Sequence, residues 1–224
     1  ASARAAAQVS AEPEGGFAVN RNTYMQAIDG LAFGTSKAQG VVRDNRFYHA
    51  DMGFTVAFPT GWTIQNQPTK VVAITPQKDA FLDLTVMGIP PDTDPRQFLL
   101  RNLSGTPLAD VEPLQVNGLQ GYTAVAREVP LPWGKRGPAR YAVVYYNNMA
   151  YVFRGATRLN SAMAASDPFF LSSIKTFRRL RDNEFALAEP DRIKLLKAAP
   201  GTRIEQLAKG SPITRYPVER LRLL

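Results

Sequence analysis

The chain holds one histidine and no cysteine, which narrows what its side chains can do. Cysteine nucleophiles, thiolate metal sites and disulfides are excluded. His49 stands two residues before Asp51. At that spacing on a strand both side chains share a face, so the carboxylate could orient the imidazole. A serine partner would have to come from far along the chain, and no G-x-S-x-G is present. The pair is therefore read as a turn or edge feature, and no catalytic residue is assigned. Asp92 and Asp94 are two carboxylates without further ligands, weak grounds for a metal site. Asp94 also has a sufficient role as the cap of a helix opened by Pro95. Arg178, Arg179 and Arg181 could touch phosphate, but cations just after a helix equally suit its C-terminal dipole. No glycine-rich phosphate loop precedes a helix. The remaining constellation is Trp133, Lys135 and Arg136 in PLPWGKRGP, residues 130–138. A Trp flanked by cations on a loop suits a peptide or an acidic surface. The competing reading folds that Trp back onto a sheet. These three residues form the candidate partner-binding loop, whereas Trp62 is read as core packing.

The elements that must position this loop are mostly strands. GFTVAFPTGW, from Gly53 to Trp62, alternates Phe54, Val56 and Phe58 with Thr55 and Ala57, the period of a strand with one buried face. Pro59 and Gly61 turn the chain, and most of the chain after Phe47 reads as one sheet built around this hairpin. In 81–89, Leu82, Leu84 and Val86 face one way and Asp83 and Thr85 the other. Residues 140–146 and 149–157 are rich in Val, Tyr and Phe, with Asn147-Asn148 between them, which predicts a two-residue hairpin. Phe98, Leu99 and Leu103 stripe the helix after Asp94. A second helix is expected from Asp167-Pro168, with Phe170, Ile174 and Phe177 at helical spacing. Residues 178–189 read as a charged linker. A short strand over 192–198, a helix to about Lys209 and another from Pro217 follow. The fold class is α+β, an antiparallel sheet flanked by helices.

Composition sets the outer bounds. The 224 residues allow one large or two small domains. No apolar run approaches the length of a membrane span, and the first residues, ASARAAAQVSAEPEGG, lack the apolar core of a signal peptide. Net charge is +8, and from Lys175 onward twelve basic residues face six acids. A basic segment can meet nucleic acid, anionic lipid or an acidic partner. It is read here as a solvated surface, with no nucleic-acid partner expected.

GFTVAFPTGW and FFLSSIKTFRRL, in the order of elements just given, resemble the PsbP/DcrB-type domain over about Phe47 to Leu180. YMQAIDGLAFG and the stretch QGVVRDNRFYHADMGFTVAFPTGWTIQNQPTKVVA resemble the region downstream of the protease domain in HtpX/BepA-related envelope zinc metallopeptidases. Tyr24, Ile28, Asp29, Gly30, Leu31 and Gly34 carry the first part. Gln39, Gly40, Arg43, Phe47, His49, Gly53 and Phe54 carry the second. RIKLLKAAPGTRIEQLAKGS resembles the first half of a LysM-like unit, whose last strand is missing here.

The resemblance implies three regions: a helical remnant and linker over 1–40, a PsbP/DcrB-like domain over 41–181, and a partial LysM-like unit over 190–224. The family's zinc motif, HExxH, needs two histidines on one helical face with a glutamate between them. Only His49 is present, so this chain corresponds to a non-catalytic C-terminal portion. Zinc would belong to the missing catalytic domain, and no cofactor is expected in this chain. The implied partners are an upstream catalytic protease domain and either an envelope protein or peptidoglycan, in the periplasm or cell envelope. The alternative is a free-standing PsbP/DcrB-like binding or assembly factor.

Overall fold

The computed structural model describes residues 20–33, 39–197, 199–211 and 216–222; the side chains of residues 21, 22, 33 and 220 are not described. The Ala-rich start and Gly34 lie outside the described residues. The chain divides into two compact units. The larger runs from Ala32 to Asp191, and the smaller takes its described residues from both ends, up to Leu31 and from Arg192 onward.

The larger unit is α+β, as expected, but it holds two antiparallel sheets where one was expected. The first comprises β1 (Val41–Arg43), β2 (Arg46–His49), β3 (Phe54–Ala57) and the two-residue β11 (Arg178–Arg179), in the order β11-β3-β2-β1. The second contains β4 (Thr63–Asn66), β5 (Lys70–Ile74), β6 (Ala80–Gly88), β7 (Leu108–Val116), β8 (Leu119–Pro130), β9 (Arg136–Tyr146) and β10 (Met149–Thr157). Its order is β4-β5-β6-β10-β9-β8-β7. The turn after Ala57 therefore hands the chain from one sheet to the other and does not close a hairpin. Pro59 cannot donate to a ladder, and Gly61, at φ +84°, redirects the backbone. Trp62 stays half-buried, its ring edge-on to Phe170 at 6.2 Å.

Strand alternation gives the seven-stranded sheet two apolar faces. Leu82, Leu84, Val144, Tyr151 and Phe153 pack with Phe47, Phe54, Val56 and Phe58 of the smaller sheet. The helix α3 (Met163–Ile174) covers the same face through Phe170 and Ile174. Its approach is close enough that a Cβ on Gly155 would meet the Phe170 ring at 2.6 Å. Val72, Phe81, Val143 and Ala156 on the other face pack against Phe98 and Leu99 of α2 (Pro95–Asn102). Asp94 caps α2 reciprocally with Gln97, and Pro95 stands at its start. Asn147 and Asn148, at φ +48° and +55°, make the two-residue turn between β9 and β10.

Three further expectations need correction. Helix α3 begins at Met163, with Pro168 inside it rather than at its head. The residues read as a linker build β11, which pairs with β3, and a 3₁₀ segment, Asp182–Ala188. The strand expected over 192–198 is confined to Asp191–Arg192, and 193–197 are irregular.

The smaller unit contains α1 (Arg21–Ile28), α4 (Ile204–Lys209) and α5 (Pro217–Leu221). Its two ends are joined by hydrogen bonds. The Gly30 N–H donates to the Ile193 carbonyl at 2.8 Å, and the Leu195 N–H to Asp29 Oδ1 at 2.9 Å. Arg222 pairs with Glu205 at 2.9 Å.

Candidate binding site

The pairing of β5, β6, β10 and β9 sets Val72, Asp83, Arg154 and Tyr141 side by side in one row across the sheet. Side chains in such a row project from the same face, so Asp83 and Arg154 meet there, with Lys70, two residues before Val72, on the same face. Asp83 is only 5% exposed. Its carboxylate accepts from Arg154 Nη2 at 2.8 Å and lies 3.8 Å from the Lys70 ammonium. A carboxylate this deep is stable because two cations answer it. The Arg154 guanidinium also lies 5.0 Å from the Phe81 ring centre. Burial pulls against its charge, but Asp83 and the Tyr141 phenol hold the proton above its ordinary value. Burial pushes the Tyr141 phenol up, with Arg154 opposing.

The loop after β8 closes this row on one side. Trp133 packs 5.7 Å from Phe81 and donates its Nε1–H to the Lys78 carbonyl at 3.1 Å. The Trp is thus folded onto the sheet, as the competing reading held. It also walls a groove of about 260 Å³ lined by Lys70, Lys78, Phe81, Asp83, Pro132 and Arg154. Three cations stand against one carboxylate there, an excess of two positive charges. Lys135 and Arg136 do not line it. Lys135 is exposed, and Arg136 donates to the Glu128 carbonyl at 2.8 Å across β8 and β9.

The residues missed from the sequence are Lys70, Lys78 and Arg154. Arg154 interrupts YVFRGAT and Asp83 interrupts FLDLTV, the sort of lone charge in a core strand that demands a partner. The strand order needed to match the two could not be read from spacing.

The other candidates have structural roles. His49 stacks on Phe54 at 5.7 Å, and its Nδ1 accepts from the Met52 N–H at 3.3 Å. Asp92 sits in a turn at φ +50°. Arg178 is paired to Glu184, and the Arg179 guanidinium lies 5.4 Å from the Tyr146 ring centre. Among the described residues, no group of three or more His, Asp or Glu gathers as metal ligands do. No helix of the described residues is long and apolar enough to cross a membrane.

No family model matches the chain, and no curated protein matches it. Solved structures similar to it include cyanobacterial PsbP (CyanoP) from Synechocystis sp. PCC 6803. That protein is 16% identical, over 62% of this chain and 95% of its own, with a TM-score of 0.45. The Ran-binding protein Mog1p of Saccharomyces cerevisiae is 15% identical over 65% of this chain and 99% of its own, with a TM-score of 0.42. LpqN of Mycobacterium tuberculosis, described as involved in cell envelope biogenesis, is 13% identical over 57% of this chain and 83% of its own, with a TM-score of 0.41. The first bears the PsbP name that the sequence resemblance implied. The peptidase and LysM parts of that resemblance have no counterpart among these three.

Proposed function

We propose that the chain is a non-catalytic binding module that takes an acidic peptide segment of a partner protein in the groove beside Trp133. The observation that carries this reading is the excess of cations beside an aromatic wall. A carboxylate entering there meets Lys78, exposed on the β5–β6 turn, and the outer edge of Arg154, which Asp83 and the Phe81 ring hold in place before binding. The groove holds no nucleophile paired with a base, so it can recognise but has no evident means to react.

Within that reading the module serves as a substrate-engaging, scaffold or targeting region of a cell-envelope zinc-dependent protease. The support is the sequence likeness running from Tyr24 to Ala73. The second reading is a free-standing envelope binding or assembly factor of PsbP/DcrB type. The coding sequence upstream separates them: an HExxH-bearing domain in the same frame supports the first, and a signal peptide ending just before Ala1 supports the second.

The binding reading is tested by fluorescence anisotropy with a labelled Glu/Asp-rich peptide. Saturable binding is expected, weakening as salt is raised. A Lys78→Asn, Trp133→Ala double variant should bind about tenfold more weakly. Equal affinity of the double variant, or equal binding of a neutral peptide of the same length, would overturn the reading.

A further inference from the structure

A second, larger groove opens on the other side of the β5–β6 turn, where α3 faces the turn that follows β3. Its volume is about 760 Å³, within the range of small-molecule sites. Its lining is unlike the rest of this chain. The protein carries 27 Lys and Arg and a net charge of +8, yet no Lys or Arg lines this groove. Asp79 is its one charged residue, fixed by the Thr75 hydroxyl, which donates to Oδ1 at 2.6 Å. Three aromatic rings line it, of which the Phe58 ring is buried. Trp62 is held half-buried by Phe170, and Phe169 projects from α3 with 62% of its surface exposed. Thr60, Gln77, Ser166 and Ser172 add hydroxyl and amide groups that make no hydrogen bond to other described side chains.

Each feature removes a class of ligand. Without a cation, and with Asp79 present, phosphate and carboxylate ligands are repelled. An apolar chain would strand the uncommitted hydroxyls and the Gln77 amide away from water. A basic peptide would find a single carboxylate in an otherwise uncharged lining. A ligand with both a weakly polar C–H face and many neutral hydroxyls satisfies the whole lining. The C–H face lies against the rings, and the hydroxyls donate to Asp79 and exchange hydrogen bonds with Gln77, Ser166 and Ser172. We infer that this groove is a binding site for a short neutral saccharide. It shares no lining residue with the groove beside Trp133, so either assignment can fail without the other.

The chain has two tryptophans, so Trp133→Phe leaves Trp62 as the sole reporter of its own groove. Emission is followed while N-acetylchitotriose, cellotriose or trilysine is added to this variant. A saturable change with one of the two saccharides is expected. Phe169→Ala and, separately, Gln77→Ala should each weaken it by about tenfold. Phe185→Ala, a solvent-exposed aromatic outside the groove, should leave it unchanged. Gln77 lies on an exposed turn, so its variant still reports on the groove even where Phe169→Ala fails to fold. No saturable change with either saccharide up to about 10 mM would overturn the inference, since a site weaker than that is not a site in any useful sense. So would a response to trilysine alone that Asp79→Asn abolishes, which would make the groove a receptor for cationic peptide.

Discussion

Arg140 is 2% exposed, and charge at that depth survives only through its partners. Its Nε and Nη2 donate to the two oxygens of Asp167 at 2.7 and 2.5 Å, and Nη1 reaches the Thr123 hydroxyl at 3.3 Å. The pair ties β9 to α3, the helix that forms one wall of the larger groove. Neither residue reads as half of an ion pair in the sequence, where Arg140 opens the strand expected over 140–146 and Asp167 opens the helix expected at Asp167-Pro168. The structure places Asp167 in the middle of α3 instead, where it neutralises a guanidinium under the helix. Asp167→Ala should therefore cost about 3–5 kcal/mol, the loss incurred when a buried ion keeps its charge and loses its partner. Urea unfolding followed by circular dichroism checks this. A loss below about 1 kcal/mol would mean that water or Asp110, 3.8 Å away, replaces the lost carboxylate.

Among the elements, those with a local cause could be read from the sequence. Asp94-Pro95 caps and opens α2, Asn147-Asn148 turns β9 into β10, and Leu82, Leu84 and Val86 share a face as their alternation required. Those with a distant cause could not. β11 exists because Arg178 and Arg179 pair with Thr55 and Phe54, more than a hundred residues earlier. The following 3₁₀ segment is held by Glu184, which receives two bonds of 2.6 Å from Arg178 and the Arg181 N–H at 3.0 Å. On sequence alone these charges spell a linker. The Arg178 guanidinium, with help from the Arg181 amide and against burial, brings the Glu184 carboxyl down to about 2 from an ordinary 4.5. Its folded value lies below its unfolded value. The stabilisation is therefore present above about pH 4.5 and is lost as pH falls toward 2. Glu184→Gln should lower stability by about 1–3 kcal/mol at neutral pH. The gap between variant and parent should close as the pH is lowered through that window. A gap that stays constant down to pH 2 would show that the carboxylate charge contributes nothing.

At the scale of the whole chain, the two units differ in what they bury. The larger has apolar layers on both faces of its seven-stranded sheet, with Leu82, Val143, Val144, Phe153, Phe170 and Ile174 all at 0% exposure. Among the described residues of the smaller unit, Ala208 is the one buried side chain. Leu31, Leu196, Tyr24 and Tyr216 are each more than half exposed. Burial of apolar surface is the main term that opposes chain entropy. A segment with one buried alanine gains little of it, and its hydrogen bonds to water-exposed backbone add little net. The smaller unit should therefore open far more often than the larger, in a transition of its own. Hydrogen exchange on the full chain measures both at once. Amides of Tyr141 to Tyr146 should exchange only through global unfolding. Those of Ile204 to Lys209, and the Gly30 and Leu195 amides that join the two ends, should exchange at least about a hundredfold faster, a difference of roughly 3 kcal/mol in opening free energy. Equal protection in the two sets would mean that the chain unfolds as one body and that the division into two units has no thermodynamic content. Limited proteolysis provides a second check. It should cut the smaller unit first and leave a protected fragment that still unfolds cooperatively, because every buried residue of its two main cores lies between Phe47 and Phe177.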